Sequence, residues 1–78
     1  MKKKILITGS SRGIGAAIAR LAKEKGYDVL LHGRTHSSHL INLAKELDSK
    51  YIIFDVSKED EVKQAFSEIS RIDVLVNS

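Results

Sequence analysis

Short aliphatic runs recur along the chain at Ile5-Leu6-Ile7, Val29-Leu30-Leu31, Ile52-Ile53-Phe54 and Val74-Leu75-Val76. None alternates with polar residues, as a strand with one wet face would. Continuous apolar strands are buried on both faces, which is the habit of parallel sheets. Three segments of helical period separate these runs. Ile14, Ala17, Ile18 and Leu21 fall at i, i+3, i+4 and i+7, with Gly26 as a C-terminal stop. Leu40, Leu43, Ala44 and Leu47 repeat the pattern, with Ser37 or Ser38 placed to cap. Val62, Ala65, Phe66 and Ile69 form the third stripe, behind Ser57 as N-cap and Glu59, Asp60 and Glu61 in the first turn. Proline is absent, so no helix interior is broken.

The predicted order is therefore β-α-β-α-β-α-β. Right-handed crossovers carry the chain stepwise to one side through the first two helices. The third helix returns it across the other face, so that strand four lies beside strand one. An α/β fold of Rossmann type results, with parallel strand order 3-2-1-4, the first half of a doubly wound three-layer sheet. No linker, repeat or low-complexity stretch divides the chain, and residues 1–78 read as one portion of a single larger domain.

Composition narrows the function without naming it. Hydrophobic residues make up 42% of the chain and charged residues 29%, as in ordinary globular proteins. No apolar run approaches the length of a membrane span, and none before Thr8-Gly9 is long enough for a signal peptide, so the default address is the cytoplasm. Zero cysteines exclude disulfides and thiolate metal sites. The net charge of +3 is concentrated partly in Lys2, Lys3 and Lys4, which read as a solvated strand end. Without a recognisable nucleic-acid module this excess does not argue for DNA or RNA. His32, His36 and His39 lack spaced carboxylates and do not form a metal set.

The chemistry is concentrated in one turn. Thr8-Gly9-Ser10-Ser11-Arg12-Gly13-Ile14-Gly15 joins the first strand to the first helix. A phosphate-binding turn of this kind needs a positive-φ residue, a backbone free to approach the pyrophosphate, and close packing of helix on strand. Gly9, Gly13 and Gly15 can meet those needs, and the helix N-terminus offers free N–H groups to an anion. No Gly-Lys-Ser/Thr follows, which excludes the P-loop.

The spacing Thr-Gly-x-x-x-Gly-Ile-Gly resembles that of the short-chain dehydrogenase/reductase family. Asp55-Val56, after the third aliphatic run, resembles the family's adenine-bordering pair, and Asp73-Val74-Leu75-Val76-Asn77 resembles its fourth strand. Many members share these motifs, among them 3-oxoacyl-acyl-carrier-protein reductases and sugar and alcohol dehydrogenases. The resemblance implies a dinucleotide held by Gly9, Ser10, Ser11, Arg12, Gly13, Ile14, Gly15, Arg34, Thr35, Asp55, Val56 and Asn77. It also implies a bracing role for Thr8, and in the complete protein a small carbonyl or alcohol substrate and assembly as a homo-oligomer. Ser78 departs from the family's second asparagine. The family's catalytic Asn, Ser and Tyr-x-x-x-Lys have no counterpart here, since Tyr27 and Tyr51 are followed four positions on by Leu31 and Asp55. No catalytic residue is carried over. The 78-residue chain alone is expected to be catalytically silent and prone to associate through an open fourth strand.

The choice of nucleotide turns on the end of the second strand. NAD-binding units place Asp or Glu there for the ribose 2′-hydroxyl. Here Leu31-His32-Gly33-Arg34-Thr35 puts glycine in that place and arginine after it. A carboxylate would repel a 2′-phosphate, whereas a guanidinium binds one bidentately. With Arg12 on the glycine turn, the expected cofactor is NADP(H). An NADP(H)-dependent oxidoreductase is the leading reading, and a non-catalytic nucleotide sensor on the same fold is its rival.

Overall fold

The computed structural model describes residues 2–78. Its elements are β1 (Lys4–Thr8), α1 (Gly13–Glu24), β2 (Asp28–Gly33), α2 (Ser38–Leu47), β3 (Lys50–Ile53), α3 (Glu59–Glu68) and β4 (Val74–Asn77). All strand pairings are parallel, and the sheet runs β3-β2-β1-β4, the order expected from the crossovers. In register, Ile5 faces Val29 and Val74, and Ile7 faces Leu31 and Val76. Alternation then divides the sheet into two faces. Ile5, Ile7, Val29 and Leu31 form one core with the buried residues of α1 and α2. Leu6, His32 and Phe54 belong to the other face, where the Phe54 ring lies 6.1 Å from Phe66 of α3.

Central strands behave as their apolar runs predict. Ile5, Leu6 and Ile7 are all buried, so β1 is dry on both faces. Burying each such side chain stabilises the fold by about 1.5–3 kcal/mol. The margins differ, because β3 and β4 each have a neighbour on one side only. Leu75 accordingly remains 51% exposed.

Helix α1 corrects the sequence expectation. Of its aliphatic stripe Ile18 packs against the core, but Ile14 is 76% and Leu21 54% exposed. The buried stripe is instead Gly15, Ala16, Ala19 and Ala22. Both stripes have helical spacing, and size decides between them. The sheet already supplies bulky branched side chains at Ile5, Ile7, Val29 and Leu31, so close packing needs small residues opposite. Gly26, at φ +90°, ends the helix as expected, its N–H bonded to the Lys23 carbonyl. Helix α2 presents Leu40, Leu43, Ala44 and Leu47 to the core, with Ser37 as the cap accepting from the Leu40 N–H at 3.1 Å.

Helix α3 brings a second correction. Its N-cap is Lys58, without a side-chain cap, rather than Ser57. The Ser57 hydroxyl and N–H both donate to Asp55 Oδ1, at 2.7 and 2.9 Å. An Asx-type turn at Asp55 has outcompeted the helix for that serine. Only Ala65 of α3 is fully buried, while Phe66 is partly exposed.

The corrected α1 face is open to direct measurement by urea denaturation. Ala19→Leu overpacks the helix–sheet contact and should cost about 1–3 kcal/mol. Leu21→Ala should change stability by no more than about 0.5 kcal/mol, as an ordinary surface substitution. A larger loss at Leu21 than at Ala19 would return the helix to its aliphatic face.

Candidate functional site

The turn between β1 and α1 is held from both neighbouring strands. Gly9 and Gly13 adopt φ +61° and +60°, a region that side chains with Cβ rarely enter. From β2, the Ser10 N–H donates to the His32 carbonyl at 3.0 Å, and the Ser10 hydroxyl receives the His32 N–H at 2.8 Å. From β4, the Thr8 hydroxyl lies 3.2 Å from Asn77 Oδ1 and 3.3 Å from the Val76 carbonyl, in reach of either acceptor. Ser78 adds a hydroxyl donated to the Thr8 carbonyl. Thr8 thus braces the turn against β4 as the family resemblance implies. At the opposite end of the sheet, Asp73 accepts from the Lys4 N–H at 2.8 Å.

Gly15 brings helix and turn together. A Cβ there would stand 2.5 Å from the Gly9 carbonyl oxygen and 2.9 Å from the Ser10 Cα. Gly13 has open space where its Cβ would be. The two glycines therefore serve different needs, packing at Gly15 and conformation at Gly13.

The helix start that this turn creates is open to an anion. Its N-cap, Arg12, makes no side-chain cap bond, and the first turn carries no acid. By contrast Ser37 caps α2, and Glu59, Asp60 and Glu61 surround the start of α3. The first N–H groups of α1 and its positive dipole end are thus left for a ligand.

A cleft of about 360 Å³ lies beside this helix start, between the ends of β1 and β2. Of the residues anticipated from sequence, it is lined by Gly9, Ser11, Arg12, Arg34, Thr35 and Val56. Two guanidinium-bearing residues line it, and no carboxylate does. A second cleft of about 320 Å³ lies between β3 and α3, but Asp60, Glu61 and Glu68 rim it. Of these two clefts, electrostatics suits the first to an anionic ligand.

The remaining anticipated residues sit around this cleft rather than on its wall. Ser10 is fully buried, its hydroxyl committed to β2, so it supports the turn and offers no side chain to a ligand. Gly13, Ile14 and Gly15 form the first turn of α1, with Ile14 exposed. Asn77 ends β4 beside Thr8. Asp55 lies just beyond β3, its N–H donating to Glu61 Oε1 at 3.0 Å. The Ser57 hydroxyl and N–H hold the Asp55 carboxyl below the usual carboxylate range, with smaller attractions from Arg34 and Lys58.

The sequence reading weighed His32 only as a metal ligand, whereas the structure places it on the cleft wall with Ser37 and Ser78. His32 is buried, its Nδ1 accepting from the Gly9 N–H at 2.9 Å and its Nε2 lying 2.8 Å from the Phe54 carbonyl. Burial pushes its pKa below the ordinary histidine value, and the Phe54 carbonyl opposes that only in part. A signal for this role did exist, namely a lone histidine between a buried apolar run and Gly33.

Fold and turn together define an α/β unit of Rossmann type. The family model of the short chain dehydrogenases matches residues 3–78, and the chain belongs to that family. Nodulation protein G of Rhizobium sp. strain N33 is 42% identical over 82 residues, covering 97% of this chain and 33% of that relative. The 3-oxoacyl-acyl-carrier-protein reductase of Staphylococcus epidermidis is 37% identical over 87 residues, covering 100% of this chain and 36% of the relative. Among solved structures, the Pseudomonas aeruginosa RhlG/NADP active-site complex is similar at a TM-score of 0.83 and 33% identity. That match covers 97% of this chain and 34% of the other. The chain thus spans about a third of the length of the curated relatives it matches.

The division of labour between the glycines predicts unequal substitutions. Gly15→Val should cost about 3 kcal/mol, because backbone atoms cannot yield to the new Cβ. Gly13→Ala should cost only about 1–2 kcal/mol, the strain of its positive φ. Denaturant unfolding of the two variants checks the order. Equal losses would mean that helix α1 does not rest on the Gly9–Ser10 backbone.

Proposed function

We propose that this chain is the NADP(H)-binding portion of an oxidoreductase acting between a carbonyl and an alcohol. The observation that carries the proposal is the cleft beside the α1 N-terminus, lined by Arg12, Gly33, Arg34 and Thr35 and by no carboxylate. Its residues fit the cofactor. Gly15 leaves the space in which α1 packs against the turn, and the uncapped start of α1 suits a pyrophosphate. Arg12 and Arg34 suit a 2′-phosphate, whose charge and fork of acceptors match a guanidinium. The family, and the structural similarity to the RhlG/NADP complex, support the same reading.

A nicotinamide cofactor, when bound, supplies or accepts the hydride. This chain's residues bind and orient it. The backbone of Gly13, Ile14 and Gly15 receives the pyrophosphate, Ser11 lines the approach, and Thr35 adds a hydroxyl beside Arg34. Asp55 and Val56 would border the adenine, with Asp55 held in orientation by Ser57. Asn77, at the end of β4, would meet the nicotinamide end of the cofactor. Proton transfer to a substrate needs a positioned acid, and no residue of this chain is assigned that part. Carbonyl reduction by the complete protein is in keeping with the 3-oxoacyl reductase among its relatives.

Calorimetry with the two reduced nucleotides tests the cofactor choice. Arg34→Ala should weaken NADPH by about 1–3 kcal/mol, the scale of a charge-assisted contact, and leave NADH unchanged. Equal weakening of both would overturn the assignment. Gly33→Asp, which the sequence suggests as the converse switch, has a steric cost, because a Cβ at Gly33 would lie 2.8 Å from Leu40 Cδ2. Its shift toward NADH is therefore read as the NADH-to-NADPH ratio, not as absolute affinity.

A further inference from the structure

His32 stands where three strands' worth of structure meet the nucleotide turn. Its ring bridges the Gly9 turn after β1 and the residue that follows β3. A backbone N–H can only donate, so Nδ1, facing Gly9 at 2.9 Å, is the unprotonated nitrogen. A carbonyl can only accept, so Nε2 carries the proton and donates it to Phe54 at 2.8 Å. Both partners thus select the same neutral tautomer. The ring is fixed further by the Phe54 side chain, whose centroid lies 4.1 Å away. The main chain of His32 meanwhile holds Ser10 through both its N–H and its carbonyl. One residue therefore fixes two successive positions of the turn, including Gly9 at its positive φ.

We propose that His32 is the positioning residue of the nucleotide turn, a neutral two-ended bridge whose protonation releases Gly9 and weakens nucleotide binding. This inference rests on the cofactor reading given above and adds pH control to the same site. An imidazolium would carry hydrogens on both nitrogens, setting Nδ1–H against the Gly9 N–H, donor against donor. Either the ring must turn away or the glycine turn must move. The charged groups on the surrounding elements do not relieve this. Arg12 on the turn, Arg34 after β2, Asp55 after β3 and Glu61 on α3 make no hydrogen bond or ion pair with the ring, and β4 brings only Asn77 and Ser78 to that end. Asp55 is engaged by Ser57, and Glu61 by the Asp55 N–H and Lys58. Arg12 and Arg34 line the same cleft as the ring and no carboxylate does, so the charged form of His32 has no acidic partner there. Burial acts in the same direction.

Comparison of the purified parent protein with His32→Asn and His32→Phe separates positioning from mere support. Asparagine places an amide oxygen where Nδ1 stands and does not titrate, whereas phenylalanine fills the space without a hydrogen bond. NADPH affinity is measured by calorimetry between about pH 5 and 8, the range of histidine titration. The Gly9 amide and the His32 ring are followed by nitrogen–proton NMR without nucleotide. In the parent, the Gly9 amide should shift with the His32 ring, and affinity should fall about tenfold more than in His32→Asn across that titration. The fall shared by both proteins belongs to the cofactor's own 2′-phosphate, which titrates at about pH 6. At pH 8, His32→Asn should bind NADPH within about threefold of the parent, and His32→Phe about tenfold more weakly. Superimposable pH profiles of parent and His32→Asn would overturn the proposal, as would a Gly9 amide indifferent to the ring's titration. If His32→Phe does not fold, the parent and asparagine profiles still decide. Failure of the parent to bind NADPH at any pH would instead overturn the cofactor reading and the affinity half of this inference, and the Gly9 amide would decide the bridge.

Discussion

Contact between the first turn of α1 and the backbone of the glycine turn is the constraint on which the rest of the structure depends. At Gly15 the helix approaches so closely that a single added carbon would lie 2.5 Å from a carbonyl oxygen. That approach propagates along the helix, where Ala16, Ala19 and Ala22 keep the axis low over β1 and β2. It also explains the exposure of Ile14 and Leu21, since these bulky residues cannot face the sheet while Gly15 touches the turn. The aliphatic bulk of this layer comes from the strands instead, and helix and sheet fit as small against large.

Charge follows from this geometry. Pinning α1 to the turn points its uncapped N-terminus at the cleft, where a partial positive charge adds to Arg12 and Arg34. The acids of this end of the molecule are placed elsewhere. Glu59, Asp60 and Glu61 gather at the start of α3, and Asp55 is turned onto Ser57. Two clefts of similar size thus differ in sign, and the difference suits the first to an anionic ligand and the second to repelling one.

The parts legible in sequence were those set by local chemistry. The strands were visible as unbroken apolar runs, α2 as a regular stripe behind Ser37, and the glycine turn through residues whose missing Cβ matters. The topology followed, because crossover handedness leaves few choices. Elsewhere two local patterns competed and only packing could choose between them. Helix α1 offers an aliphatic stripe and an alanine stripe of equal period, and hydrophobicity alone prefers the wrong one. Ser57 could cap α3 or close a turn on Asp55, and the energies of those bonds are alike. His32 resembled any histidine at a strand end until Gly9 and Phe54 were found on either side of its ring.

From its sequence alone, this chain determined its class, its strand order, its family and the residue types gathered at one turn, because each depends on periodicity, handedness or the absence of a side chain. Tertiary structure decided which face of α1 is buried, which serine caps which helix, and which of the anticipated residues share a cleft. It also decided that a histidine outside the motif holds the turn in place. Gly9, His32 and Phe54 belong to three strand ends that are distant in sequence, and their hydrogen bonds exist only because parallel pairing brings those ends to the same edge of the sheet.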